Sequence, residues 1–200
     1  MSEGPIHASD VRALPGPRRV DRVRRALRQD GVDLEVVEHD LDGWIALFRG
    51  DSQPALRVLI LELLEGVDDP RADALAERAL RDRGDGVRLE ALHRLLYRFP
   101  ERAEELARAH LHDDGVEVRL LAAARLHAID PETTIDALFE GVRTEIDGPR
   151  EDHVLERTVE FLVDDVGDRT VVPRLRALAD EVDDPEGMIA WALDALGGPA

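Results

Sequence analysis

The 200-residue chain contains no cysteine and no lysine. Without cysteine there is no disulfide, no thiolate nucleophile and no cysteine-ligated zinc. Aromatic residues make up only 4%, so the core has to be built from Leu, Val and Ala. Serine occurs only at Ser2, Ser9 and Ser52. None of them stands with His and Asp in a recognisable hydrolase arrangement, and G-x-S-x-G is missing. There is no P-loop, no G-x-G-x-x-G and no D-x-D-x-D-G loop, which removes the usual nucleotide and calcium signatures. No apolar run approaches the length of a membrane-spanning helix. The opening Met1-Ser2-Glu3-Gly4-Pro5 lacks a basic stretch followed by an apolar one, so a cytoplasmic location is expected.

What the chain does have is charge. All 26 basic residues are Arg, set against 44 acids, for a net −18. The imbalance is uneven. Residues 1–50 carry −1, residues 51–100 carry −2, and residues 101–200 carry −15. A field of this sign repels phosphate backbones and anionic membranes and favours a basic partner. Solubility alone also accounts for an acidic surface.

Residues 1–16, with Gly4, Pro5, Pro15 and Gly16, read as a flexible tail. From Pro17 to about 29 the pattern is helical. Val20, Val23 and Leu27 share a face, six Arg lie between Arg18 and Arg28, and Gly31 is the expected stop. Residues 32–37 alternate like a short strand, without a partner strand. A helix over about 38–49 follows. Beyond residue 51 the chain reads as helix, turn, helix. Breaks fall at Gly66 to Pro70, Gly84 to Gly86, Phe99-Pro100, Asp113 to Gly115, Asp130-Pro131, Gly148-Pro149, Gly167-Asp168 and Asp183 to Pro185. The expected class is all-α, in short antiparallel helices.

The helices repeat. Arg57, Arg88 and Arg119 are spaced by 31 residues, and Asp51, Asp82 and Asp113 stand six before them. Taking each Arg as zero, positions −1, +3, +4 and +7 hold Leu56, Ile60, Leu61 and Leu64. The second copy has Val87, Ala91, Leu92 and Leu95, and the third Val118, Ala122, Ala123 and Leu126. Val154, Thr158, Val159 and Leu162 fill the columns of a drifting fourth copy. Met188, Ala192, Leu193 and Leu196 fill those of a fifth. One such helix cannot bury its stripe alone, whereas stacked copies can. Each Asp is placed to accept from first-turn N–H groups. Each Arg is placed to reach an Asp in its own or a neighbouring copy, giving a ladder of charge-assisted bonds through Asp51, Arg57, Asp82, Arg88, Asp113 and Arg119.

The Asp-x5-Arg pattern, with Leu seven residues beyond each Arg, resembles HEAT or HEAT-like repeats. Asp85-Gly86-Val87-Arg88-Leu89-Glu90-Ala91 and Glu117-Val118-Arg119-Leu120-Leu121-Ala122-Ala123 carry the match. The fourth copy lacks both charges, and the fifth has Ile189 where Arg is expected. The resemblance implies a right-handed α-solenoid of about five helical hairpins in a single domain over 17–200. The repeats would be near 38–66, 70–98, 100–128, 131–165 and 168–197, capped by the helix at 17–29. It also implies a concave face made by the second helix of each hairpin, and protein as the ligand.

On that face the columns at +2, +5 and +6 offer Glu62, His93, Arg94, Arg125, Glu160, Trp191 and Asp194 as partner-binding residues, with Glu90 and Arg157 beside them. The bland reading of each is a solvated side chain, and for Trp191 a plug closing the last repeat. No catalytic residue is expected. Neither a metal nor a cofactor is expected: His110 and His112 point apart on a helix, and the His-Glu dipeptides of HEAT-like di-iron hydroxylases are missing. HEAT-like DNA glycosylases have a strongly basic concave face, unlike this chain, so nucleic acid is disfavoured. The expectation is a non-enzymatic scaffold for a protein with a basic or mixed surface. The alternatives are a HEAT-like bilin lyase, for which His93 and Arg94 are the tempting pair, and an acidic inhibitor or immunity protein.

Overall fold

The computed structural model describes residues 5–28, 32–146, 153–182 and 187–197. Among them every regular element is helical and no strand occurs. None of these helices is long and apolar enough to cross a membrane. The chain divides into two compact units, Met1–Glu101 and Arg102–Ala200.

The first unit holds α1 (Ala8–Ala13), α2 (Gly16–Arg28), α3 (Leu34–His39), α4 (Leu41–Gly50), α5 (Pro54–Leu63), α6 (Pro70–Ala79) and α7 (Asp85–Arg98). Helix α5 packs against α2 and α7, and α4 packs against α6, so two layers form. Contacts of α4 with α5 and of α6 with α7 join the layers, and α1 and α3 lie against α4. The apolar columns explain this. Leu56, Ile60, Leu61 and Leu64, then Val87, Ala91, Leu92 and Leu95, are all buried. Each large member contributes about 1.5–3 kcal/mol through burial.

Two segments differ from the sequence reading. The expected tail contains α1, whose Ala8 and Val11 are buried together with Ile6. The Ala8 N–H donates to Asp40 Oδ2 at 2.6 Å. A Cβ on Gly43 would stand 3.0 Å from Ala8 Cβ, so only glycine lets α1 approach α4 this closely. The strand-like stretch 32–37 runs into α3. Asp33 starts that helix by accepting from Glu35 N–H and Val36 N–H, a local gain that no partner strand opposes.

The second unit holds α8 (Ala103–His110), α9 (Val116–Leu126), α10 (Pro131–Ile146), α11 (Val154–Phe161), α12 (Val172–Glu181) and α13 (Met188–Ala195). Helix α9 packs on α8, α10 and α11, while α13 packs on α11 and α12. Val118, Ala122, Ala123 and Leu126 are buried, as are Val154, Thr158, Val159, Leu162, Ala192, Leu193 and Leu196. Met188 is half-buried. Helix α11 widens into a π-helical turn at Leu162–Val166 and stops at Gly167, whose φ of 59° suits glycine. Gly31, the break at Gly148-Pro149 and the break at Asp183 to Pro185 lie outside the described residues, and with them the Asp183 of the fifth copy.

Candidate functional site

Helices α5, α7 and α9 each begin three residues after an Asp of the 31-residue spacing. Asp51 Oδ1 accepts from Gln53 N–H at 2.9 Å, Asp82 Oδ1 from Gly84 N–H at 2.9 Å, and Asp113 Oδ1 from Gly115 N–H at 2.8 Å. These N–H groups belong to the residue just before each helix, not to its first turn. Six residues on, each Arg folds back over the same turn. Arg57 Nη1 donates to Asp51 O at 3.0 Å, Arg88 Nη1 to Asp82 O at 3.0 Å, and Arg119 Nη1 to Asp113 O at 2.7 Å.

Within the first unit the Asp and Arg also join successive helices. Arg57 grips Asp82 with both arms, Nε to Oδ2 at 2.9 Å and Nη2 to Oδ1 at 2.8 Å. Arg19 of α2 donates to Asp51 Oδ2 at 2.6 Å. Arg19 lies off the 31-residue spacing, so the repeat gave no signal for it. Burial alone would raise both carboxyls. The Arg57 guanidinium and Gly84 N–H outweigh it at Asp82, and the Gln53 N–H and Arg19 do so at Asp51. Both acids therefore sit below the ordinary carboxylate value.

Arg94 corrects the sequence reading. Its side chain is 1% exposed, so it cannot meet a partner. It donates to the carbonyls of Leu64, of Glu65 at 3.1 Å and of Val67 at 3.0 Å, and to Asp73 Oδ1 at 2.7 Å. Leu64 O also accepts from Val67 N–H at 3.0 Å, so Arg94 adds a second donor there and supplies one to Glu65 O and to Val67 O. The column gives a mixed signal: at +6 Leu63 and Phe161 are buried, whereas Arg125 and Ala195 are exposed. The pairing of His93 with Arg94 as a ligand-binding couple fails for the same reason.

The open face of α5 and α7 has the opposite character. Glu62 and Glu90 are half-buried there, and Glu65 and His93 are exposed. Glu90 sits above the ordinary carboxylate value. Burial is the main cause, Glu62 and Glu65 add repulsion, and His93 opposes it. Among the described residues no Arg answers these three carboxylates. One turn beyond His93, Tyr97 is 73% exposed.

In the second unit Arg125 and Asp194 are exposed, on α9 and α13. Trp191 is 44% exposed on α13. Glu160 belongs to a surface relay: Arg157 donates to Glu160 Oε2 at 2.7 Å and to Glu117 Oε1 at 2.7 Å, tying α11 to α9. His110 Nδ1 lies 2.9 Å from Leu106 O, while His112 Nδ1 is 3.8 Å from Glu140 Oε2, so the two rings serve different neighbours. No group of three or more His, Asp or Glu among the described residues could hold a metal ion. No protein-family model matches the chain, and no curated protein matches it.

Proposed function

We propose that this chain is a HEAT-like scaffold, a right-handed α-solenoid of about five hairpins, that holds a protein partner in the cytoplasm and catalyses no reaction itself. The 31-residue spacing, the layering of α5 with α2 and α7, and the recurring Asp turns support the repeat reading. One observation carries the functional reading. The half-buried Glu62 and Glu90 crowd the open face of α5 and α7 beside the exposed Glu65 and without a guanidinium, whereas Asp73 and Asp82, half-buried in the same unit, are each met by an Arg. A half-buried carboxylate that lacks a cation is costly in the free protein and is relieved when a partner brings one. The partner therefore presents an Arg or Lys to Glu62 and Glu90 and an apolar or aromatic group to Tyr97.

Selection of a random peptide library on the full chain tests this. The expected winners carry Arg or Lys next to an apolar anchor, and lose at least roughly tenfold in affinity against the Glu62→Gln/Glu90→Gln protein. Winners that bind that variant as well as the wild type overturn the reading.

A further inference from the structure

Helix α2 presents two unlike sides. Val20 and Val23 are buried, and Arg19 turns inward to Asp51. Arg18, Arg24, Arg25 and Arg28 are exposed on the other side. Asp21 is the sole acid between residues 18 and 28, 3.8 Å from Arg24. Six Arg against one Asp make this stretch +5. Several other guanidiniums of the first unit are held within the unit by carboxylates: Arg57 by Asp82, Arg71 by Asp42 and Asp69, Arg98 by Asp68 and Asp73. The second unit is the reverse, with 10 Arg against 24 acids over residues 102–200. Asp164 and Asp165 on the π-helical turn and Asp180 on α12 are exposed there.

We infer that the exposed Arg face of α2 docks the acidic second unit of another copy of this chain. Guanidinium and carboxylate are a matched pair, bidentate and charge-assisted. At about 0.1 M salt the screening length is about 10 Å, so exposed Arg18, Arg24 and Arg28 act mainly on what touches them, and the net −18 of each copy does not forbid contact. A protein carrying both the donor and the acceptor surface needs no third component. Because the two surfaces differ, the contact is heterologous: one copy's α2 meets the next copy's second unit, and copies add in a row or close into a ring. This inference does not rest on the open face of α5 and α7.

The test uses the full chain. Sedimentation velocity at 0.1 M NaCl should show species that grow with protein concentration. Raising NaCl to 1 M should weaken the association by roughly tenfold or more. The Arg18→Glu/Arg24→Glu/Arg28→Glu protein, with an unchanged helical spectrum, should stay monomeric. If it does not fold, a photo-cross-linking residue at position 24 alone gives the second reading. In an equal mixture of 14N and 15N chains it should yield mixed-mass links ending within 102–200. A monomer at every concentration, association indifferent to salt, or links confined to one copy or to 1–101 would each overturn the inference. So would binding of a short single-stranded DNA to monomeric chain through α2.

Discussion

Helices α5 and α7 have a start and an open face, and the two treat charge in opposite ways. At the helix starts Asp51 and Asp82 are clasped by Arg19 and Arg57 and by N–H groups of their own turns. On the open face Glu62, Glu65 and Glu90 repel one another, with His93 as the nearby counter-charge. The first arrangement fixes each helix to its neighbour. The second contributes nothing to stability and costs some. The two regions thus separate what holds the fold from what the proposed partner would meet.

Several substitutions sharpen or break that contrast. Arg94→Ala should have the largest effect. It strips three carbonyls and Asp73 of a buried donor, so a loss of about 3–5 kcal/mol is expected in urea unfolding. Arg94→Lys should recover little, because one ammonium cannot span the same set of acceptors. Arg57→Ala comes next, at roughly 1–3 kcal/mol, since it leaves the half-buried Asp82 with the Gly84 N–H but without its two-armed guanidinium partner. The pH dependence carries its own sign. The folded value of Asp82 lies below the unfolded one, near 3.9. Its stabilisation is complete above about pH 4 and is lost as pH falls through the folded value. An Asp82→Ala protein should lack that component of acid sensitivity.

Glu90→Gln should act in the other direction. The folded value of Glu90 lies above the unfolded one, near 4.3. The ionised form is therefore destabilising at pH 7 and the penalty vanishes below both values. Glu90→Gln should raise the melting temperature slightly at pH 7, by about 2 °C, and leave it unchanged at pH 3. Glu160→Ala should have the smallest effect, within roughly 0.5 kcal/mol, because its pair with Arg157 is solvent-exposed. Arg88, 7% exposed and bonded to Asp82 O, should cost clearly more when changed to Ala.

The apolar columns were readable because four positions recurring on one face can only be a buried stripe. Leu56, Val87 and Val118 at −1 are each fully buried. The turns were readable because Asp, Gly and Pro act locally. Three features were not. Helix α1 forms because Asp40 and Gly43, more than 25 residues away, receive it, and its own three apolar residues are too few to signal that. In α3 the cap at Asp33 overrode an alternation that favours a strand only when another strand pairs with it. Arg94 carries a charge, which argues for an outside position, and its column does not decide, since at +6 Leu63 and Phe161 are buried and Arg125 and Ala195 are exposed. The candidate face was legible as a set of residue types, but the missing guanidinium was not, since it depends on which Arg reach across helices.

The central claim is that the acids on the open face of α5 and α7 serve a partner and not the fold. Isothermal titration of one library-selected cationic peptide, run beside thermal unfolding for wild type and Glu62→Gln/Glu90→Gln, tests it most directly. The account predicts a variant at least as stable as wild type that binds the peptide roughly tenfold more weakly. A variant that binds equally well, or that loses stability, would contradict it.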